Sequence, residues 1–135
     1  MFSSPVISSQ TIQRVQQGIF WAWMLSLACI LYGSLTPELH LDTNIQNSDK
    51  ILHVLAYTWL AVGARISFIP APKSVSFGIG LICLGIIVEL FQCLVPGRFF
   101  SSADIGANSL GVALGLFLAA LVRGKGPGPL ALLIK

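Results

Sequence analysis

Glu89 stands inside the apolar run GLICLGIIVELFQ, with Gln92 three residues later on nearly the same helical face. A carboxylate there has no soluble surface to turn to, and needs a cation or hydrogen-bond donors. His53 and Glu89 are the residue types of a general acid and base, and form the candidate catalytic pair. Arg98, just past Pro96-Gly97, offers a planar fork suited to phosphate or carboxylate. Lys50 is a second cation. His53 and Tyr57 lie four apart on one helix face, with Lys50 three before His53 and Asp49 next to it. Asp104 and Asn108 are likewise four apart. Asp49, Lys50, Tyr57, Gln92, Arg98, Asp104 and Asn108 thus form the candidate binding set.

Each residue also has a plainer reading. Asp49 and Asp104 sit where acids cap helix starts, with Ser101 and Ser102 able to help at the second. Lys50 can snorkel to an interface. Tyr57 fits an aromatic belt, Arg98 a headgroup anchor, and His53 ordinary packing. Glu89 and Gln92 can pin helices together as a buried polar cluster. Candidate partners for Glu89 are Arg98, Lys50 and His53. His53, Glu89 and Asp104 have no diagnostic ligand spacing, so neither a metal nor a cofactor is expected. Cys29, Cys83 and Cys93 lie in apolar runs without a C-x-x-C pair, and are read as lipid-facing or packing residues.

The elements that carry these residues are membrane helices. Of the 135 residues 55% are hydrophobic and only 10% charged, with a mean hydropathy of +0.83. A soluble domain usually carries about 25% charged residues. The net charge of +3 is spread over segment ends, where topology accounts for it, so no nucleic-acid partner is expected. Four runs, 18–35, 51–69, 75–95 and 105–122, approach the roughly 20 residues that cross a bilayer as a helix. The expected fold is all-α, a bundle of four transmembrane helices over 18–122. A polar N-terminal tail, 1–17, precedes it as a poorly ordered or interfacial segment. A basic Gly/Pro-rich tail, 123–135, follows, and its 130–134 stretch is short enough only to touch the interface.

With the N-terminus cytoplasmic, Arg14, Arg65, Lys73, Arg123, Lys125 and Lys135 share that side, and only Lys50 and Arg98 face away. This bias places both termini inside. Loops 36–48 and 96–103 then face outward, the former with Glu38, His40 and Asp42 but no basic residue. The same topology gathers the polar groups of three helices into one outer layer, with Tyr57 and Glu89 each about 9 Å from their helix ends.

Ala107, Gly111, Gly115 and Ala119 repeat at four-residue spacing. Such a stripe lets another helix backbone approach closely, and would turn Asn108 into the bundle. The first helix has no polar stripe. Its Trp21, Trp23 and Tyr32 read as interface anchors, and its role as structural or lid-like.

With DKILHVLAY (49–57), ELFQ (89–92), PGR (96–98) and DIGANSLGVALG (104–115) in order, the chain resembles the VanZ-like family of small membrane proteins. The resemblance covers most of residues 30–122 and implies a helical bundle in the bacterial cytoplasmic (inner) membrane. The family takes its name from a member associated with resistance to teicoplanin, a phenotype that the resemblance does not carry to this chain.

Two functions of different class follow. In one, an outward-facing site between helices 2, 3 and 4 binds or modifies an anionic membrane lipid or lipid-linked cell-wall precursor. Arg98 and Lys50 would hold the anion. His53 and Glu89 would act as acid and base, oriented by Asp104, Asn108, Gln92 and Tyr57. In the other, the chain is a non-catalytic accessory subunit beside another membrane protein, and its polar network fixes helix packing. A transport path is disfavoured, because nothing polar continues to the cytoplasmic half.

Overall fold

The computed structural model describes residues 9–36, 47–67 and 69–123. These are helical apart from short connections: α1 (Ser9–Leu35), α2 (Ser48–Ser67), a single 3₁₀ turn (Ala71–Lys73), α3 (Ser74–Gln92) and α4 (Ser102–Arg123). Among the described residues, three stretches are long and apolar enough to cross a membrane: Gln13–Leu35, Ala71–Gln92 and Ser102–Val122. The described residues thus form an all-helical, multi-pass membrane protein. α2 falls outside this set, because Asp49, Lys50 and Arg65 lower its hydropathy.

Two boundaries differ from expectation. Helix α1 begins at Ser9, so residues 9–17 are its first turns, whereas a tail was expected there. Gln and Arg propagate helix well although they interrupt an apolar run. Helix α3 stops at Gln92 rather than Val95. Leu94 N bonds to Phe91 O, Val95 N to Gln92 O and Arg98 N to Val95 O, so tight turns replace the helix. Pro96 disfavours helical geometry at Val95, and Gly97 (φ +81°) takes a left-handed conformation that suits glycine. Residues 1–8, the core of the 36–48 loop with its Glu38, His40 and Asp42, and 124–135 lie outside the described residues.

Helices α2 and α4 run parallel and form the centre. Each begins at the end where α1 and α3 finish. Gly111 and Gly115 make the seam: a Cβ on Gly111 would lie 2.5 Å from Val54 O, and one on Gly115 2.6 Å from Thr58 O. Thr58 Oγ1 donates to Gly111 O at 3.1 Å. Ala107 and Ala119 of the same stripe are buried. Without side chains in the way, backbones meet and dispersion contacts multiply. Helix α3 packs chiefly on α4, and α1 on α2 and α3. The core cluster is Tyr57, Leu60, Ala61, Leu81 and Val112.

Trp23 belongs to this core and not to the interface expected for it. It is half-buried, donates from Nε1 to Leu60 O at 3.0 Å, and stacks at a tilt on Phe77. Trp21 and Tyr32 point outward. At the opposite end from the candidate residues, Arg65 is buried and donates to Ile69 O, one of the carbonyls past the end of α2.

Candidate functional site

The ends of all four helices surround one cleft of about 670 Å³. α1 contributes Ile30, Gly33 and Ser34; α2 contributes Asp49, Lys50 and His53; the end of α3 contributes Gln92; and the turn and start of α4 contribute Arg98, Phe99, Ser101 and Asp104. Of the nine candidate residues, Asp49, Lys50, His53, Gln92, Arg98 and Asp104 line it. Glu89, Tyr57 and Asn108 do not, and form a buried layer at 1%, 4% and 2% exposure.

Lys50 sits between two carboxylates. Its Nζ is 2.8 Å from Asp49 Oδ2 and 3.0 Å from Asp104 Oδ1, the second contact being an ion pair without hydrogen-bond alignment. Asp49 therefore pairs with its neighbour at the head of α2, while the carbonyl of Asn47 takes the Lys50 and Ile51 N–H groups. Both ions precede the apolar part of α2. The hydrogen bond from Lys50 holds the Asp49 carboxyl below its ordinary value. The Asp49 carboxylate, and then Asp104, hold the Lys50 ammonium above its own.

Glu89 does not meet the cations considered for it. Its Oε1 accepts the backbone N–H of Ser101 at 2.6 Å, and its Oε2 is buried with no hydrogen-bond partner. Ser101 caps α4, with its Oγ accepting the Asp104 N–H at 3.2 Å. His53 Nδ1 and Asn108 Oδ1 are 3.0 Å apart, so His53 is tied to Asn108 and Glu89 to Ser101. Gln92 Nε2 donates to Ser34 O at 2.8 Å, fastening the end of α3 to the end of α1. Arg98 is half-buried against the cleft, and its Nε is buried without a partner.

Ser101 caps α4 as its position suggested, but its bond to Glu89 was not foreseen, and two participants were missed from sequence. Ser34 acts through a backbone carbonyl, as Ser101 meets Glu89 through its N–H, atoms every residue type carries. Gly85 is the second. A Cβ on it would lie 2.9 Å from Asn108 Nδ2 and 3.0 Å from the Tyr57 hydroxyl, so its missing side chain admits both polar groups between α2, α3 and α4. A glycine inside a helical apolar run was the available signal. Among the described residues no group of three or more His, Cys, Asp or Glu is placed to hold a metal ion.

Net charge around the cleft is balanced: Lys50 and Arg98 against Asp49 and Asp104. Lys50 is charge-compensated by both acids, whereas Arg98 has no carboxylate partner among the described residues. Beside it Leu94, Phe99 and Phe100 are exposed and form an apolar rim. Compared with family models, curated proteins and solved structures, the chain matches none.

Proposed function

We propose that the cleft binds the phosphate-bearing headgroup of an anionic membrane lipid or lipid-linked envelope precursor. The setting is a VanZ-like bundle of four spanning helices in a bacterial cytoplasmic membrane, with both termini inside and the cleft facing out. The observation that carries this reading is Arg98, a cation in the wall of an open cleft that pairs with no carboxylate among the described residues. A guanidinium without a carboxylate partner suits a phosphate, whose oxygens its planar fork matches. The exposed Leu94 and Phe99 beside the mouth support a position at headgroup depth. α2, with 20 residues, is about 30 Å long and lies along α4, which supports a fourth crossing. The orientation rests on the distribution of Lys and Arg.

Binding is favoured over chemistry, because His53 and Glu89 are held by separate partners and Glu89 does not line the cleft. The test is retention of dioleoylphosphatidylglycerol by the purified protein, read by native mass spectrometry. Arg98→Ala is expected to lose at least about tenfold in retention and Arg98→Lys to lose part of it. Unchanged retention in Arg98→Ala would falsify the assignment. For orientation, Phe99→Cys in a chain with Cys29, Cys83 and Cys93 replaced by Ala is expected to react with an impermeant thiol reagent added outside intact cells.

The accessory-subunit reading has its own support. Glu89, Gln92 and Asn108 are at most 2% exposed, and each is hydrogen-bonded to another helix or to the turn after its own. Under that reading Arg98→Ala keeps both abundance and lipid retention, whereas Gln92→Ala and Asn108→Ala lose abundance.

A further inference from the structure

A second cavity, of about 380 Å³, opens on the flank of the bundle between α2 and α4. Its walls are apolar: Ile51, Val54 and Leu55 from α2, and Ala103, Gly106 and Leu110 from α4. Polar character is confined to one end, where Asn47 and Lys50 lie. Lys50 also lines the headgroup cleft, so the two cavities share one wall residue. From Ala103 to Leu110 the groove follows about 10 Å of helix rise.

We infer that this groove seats the upper part of an acyl chain belonging to the same lipid whose headgroup occupies the cleft. The inference rests on the headgroup reading and adds a second subsite to it. Adjacency across Lys50 is the first argument: a single molecule with an anionic head and an apolar tail matches a cleft walled by Arg98 beside an apolar trough. Shape is the second. The trough is open at Gly106, where a Cβ would meet no atom within 4 Å. Farther along the same helix, Gly111 and Gly115 are filled by the α2 backbone, whereas Gly106 is left open toward the bilayer. Length is the third. Two helical turns of groove suit a chain segment better than a second copy's helix, which would need a far longer seam.

Open space at Gly106 supplies a clean probe. Gly106→Trp fills the trough without entering the α2–α4 seam, and Gly106→Leu and Ala103→Trp are independent versions should one fail to accumulate. Retention of dioleoylphosphatidylglycerol is compared with that of the short-chain dihexanoyl form, by native mass spectrometry on the full chain. Wild type is expected to retain the long-chain lipid at least about tenfold better. The filled variants are expected to lose that preference while holding the short-chain lipid as wild type does. Filled variants that keep the full long-chain preference overturn the groove and leave the headgroup site standing. Arg98→Ala that loses neither lipid overturns the headgroup reading instead. If filling the groove abolishes chemical cross-linking between copies and leaves lipid retention unchanged, the occupant is a second copy and the inference is wrong.

Discussion

Glu89 on α3 accepts the backbone N–H of Ser101 at 2.6 Å, across the turn that leads into α4. In a capping box, the acid three residues into a helix reaches back to the N–H of the capping residue. Here Ser101 caps Asp104 in the usual direction, but the return bond comes from Glu89 on the preceding helix. The side chain of Asp104 is thereby released to meet Lys50 on α2. One borrowed carboxylate thus fixes the α3–α4 turn and frees another for the cleft.

Removing that carboxylate is expected to cost stability. Glu89→Ala leaves the Ser101 N–H unpaired and opens a cavity, for a loss of about 2–4 kcal/mol. Glu89→Gln keeps an acceptor oxygen and is expected to lose about 1 kcal/mol or less. Unfolding of the purified protein by denaturant titration in mild detergent separates the two. Equal stability of Glu89→Ala and wild type would show that the bond is idle.

The seam between α2 and α4 makes an all-or-none prediction. Gly111→Val and Gly115→Val drive carbon into the carbonyls of Val54 and Thr58, and are expected to lose about 3 kcal/mol or more. Gly106→Ala on the same helix meets nothing and is expected to be neutral or slightly stabilising. Abundance in the membrane fraction, measured for all three variants, tests the contrast.

The Asp49–Lys50–Asp104 cluster predicts a flat middle in the pH profile. The Asp49 carboxyl is depressed in the folded chain, so its contribution is complete above its unfolded value and disappears as pH falls below about 4. The Lys50 ammonium is raised, so its contribution is complete below its unfolded value and disappears as pH rises past about 10. The stability difference between wild type and Lys50→Met is therefore expected to be constant from pH 5 to 9 and to shrink at both extremes. Thermal melts across that range check it. Asp49 is 57% exposed at its side chain, so salt should weaken its share.

Helix α1 is fastened by Trp23 to Leu60 O and by Gln92 to Ser34 O. Trp23→Phe keeps most of the ring and loses the donor, for an expected cost of about 1 kcal/mol, and Gln92→Ala is expected to cost a similar amount. The double variant is expected to add the two, since the bonds lie near opposite ends of the contact. Protease accessibility of the α1–α2 connection provides the readout.

The helices were legible because apolar runs and their Pro and Gly breaks are written in side chains. So was the gathering of Asp49, Lys50, His53, Gln92, Arg98 and Asp104 at one end, which follows from alternating helix direction. The partners were not. Glu89 and Gln92 bond to backbone atoms of Ser101 and Ser34, and a main-chain N–H or carbonyl leaves no mark in a sequence. Neither did the run lengths tell that α2 neighbours α4 more closely than α3. Gly111 and Gly115 announced a close approach but not the helix that makes it. The start of α1 at Ser9 was hidden because Gln13, Arg14, Gln16 and Gln17 are good helix formers that a hydropathy reading counts against a span.

The pairing of α2 with α4 also bears on how the chain is made. Of the four described helices α2 is the least able to enter lipid by itself, and its main companion, α4, is synthesised only after α3. Between the synthesis of the two, Lys50 lacks Asp104, His53 lacks Asn108, and the carbonyls of Val54 and Thr58 face no glycine. Biogenesis therefore includes an interval in which α2 exists without the neighbour that supplies most of its packing and its polar partners.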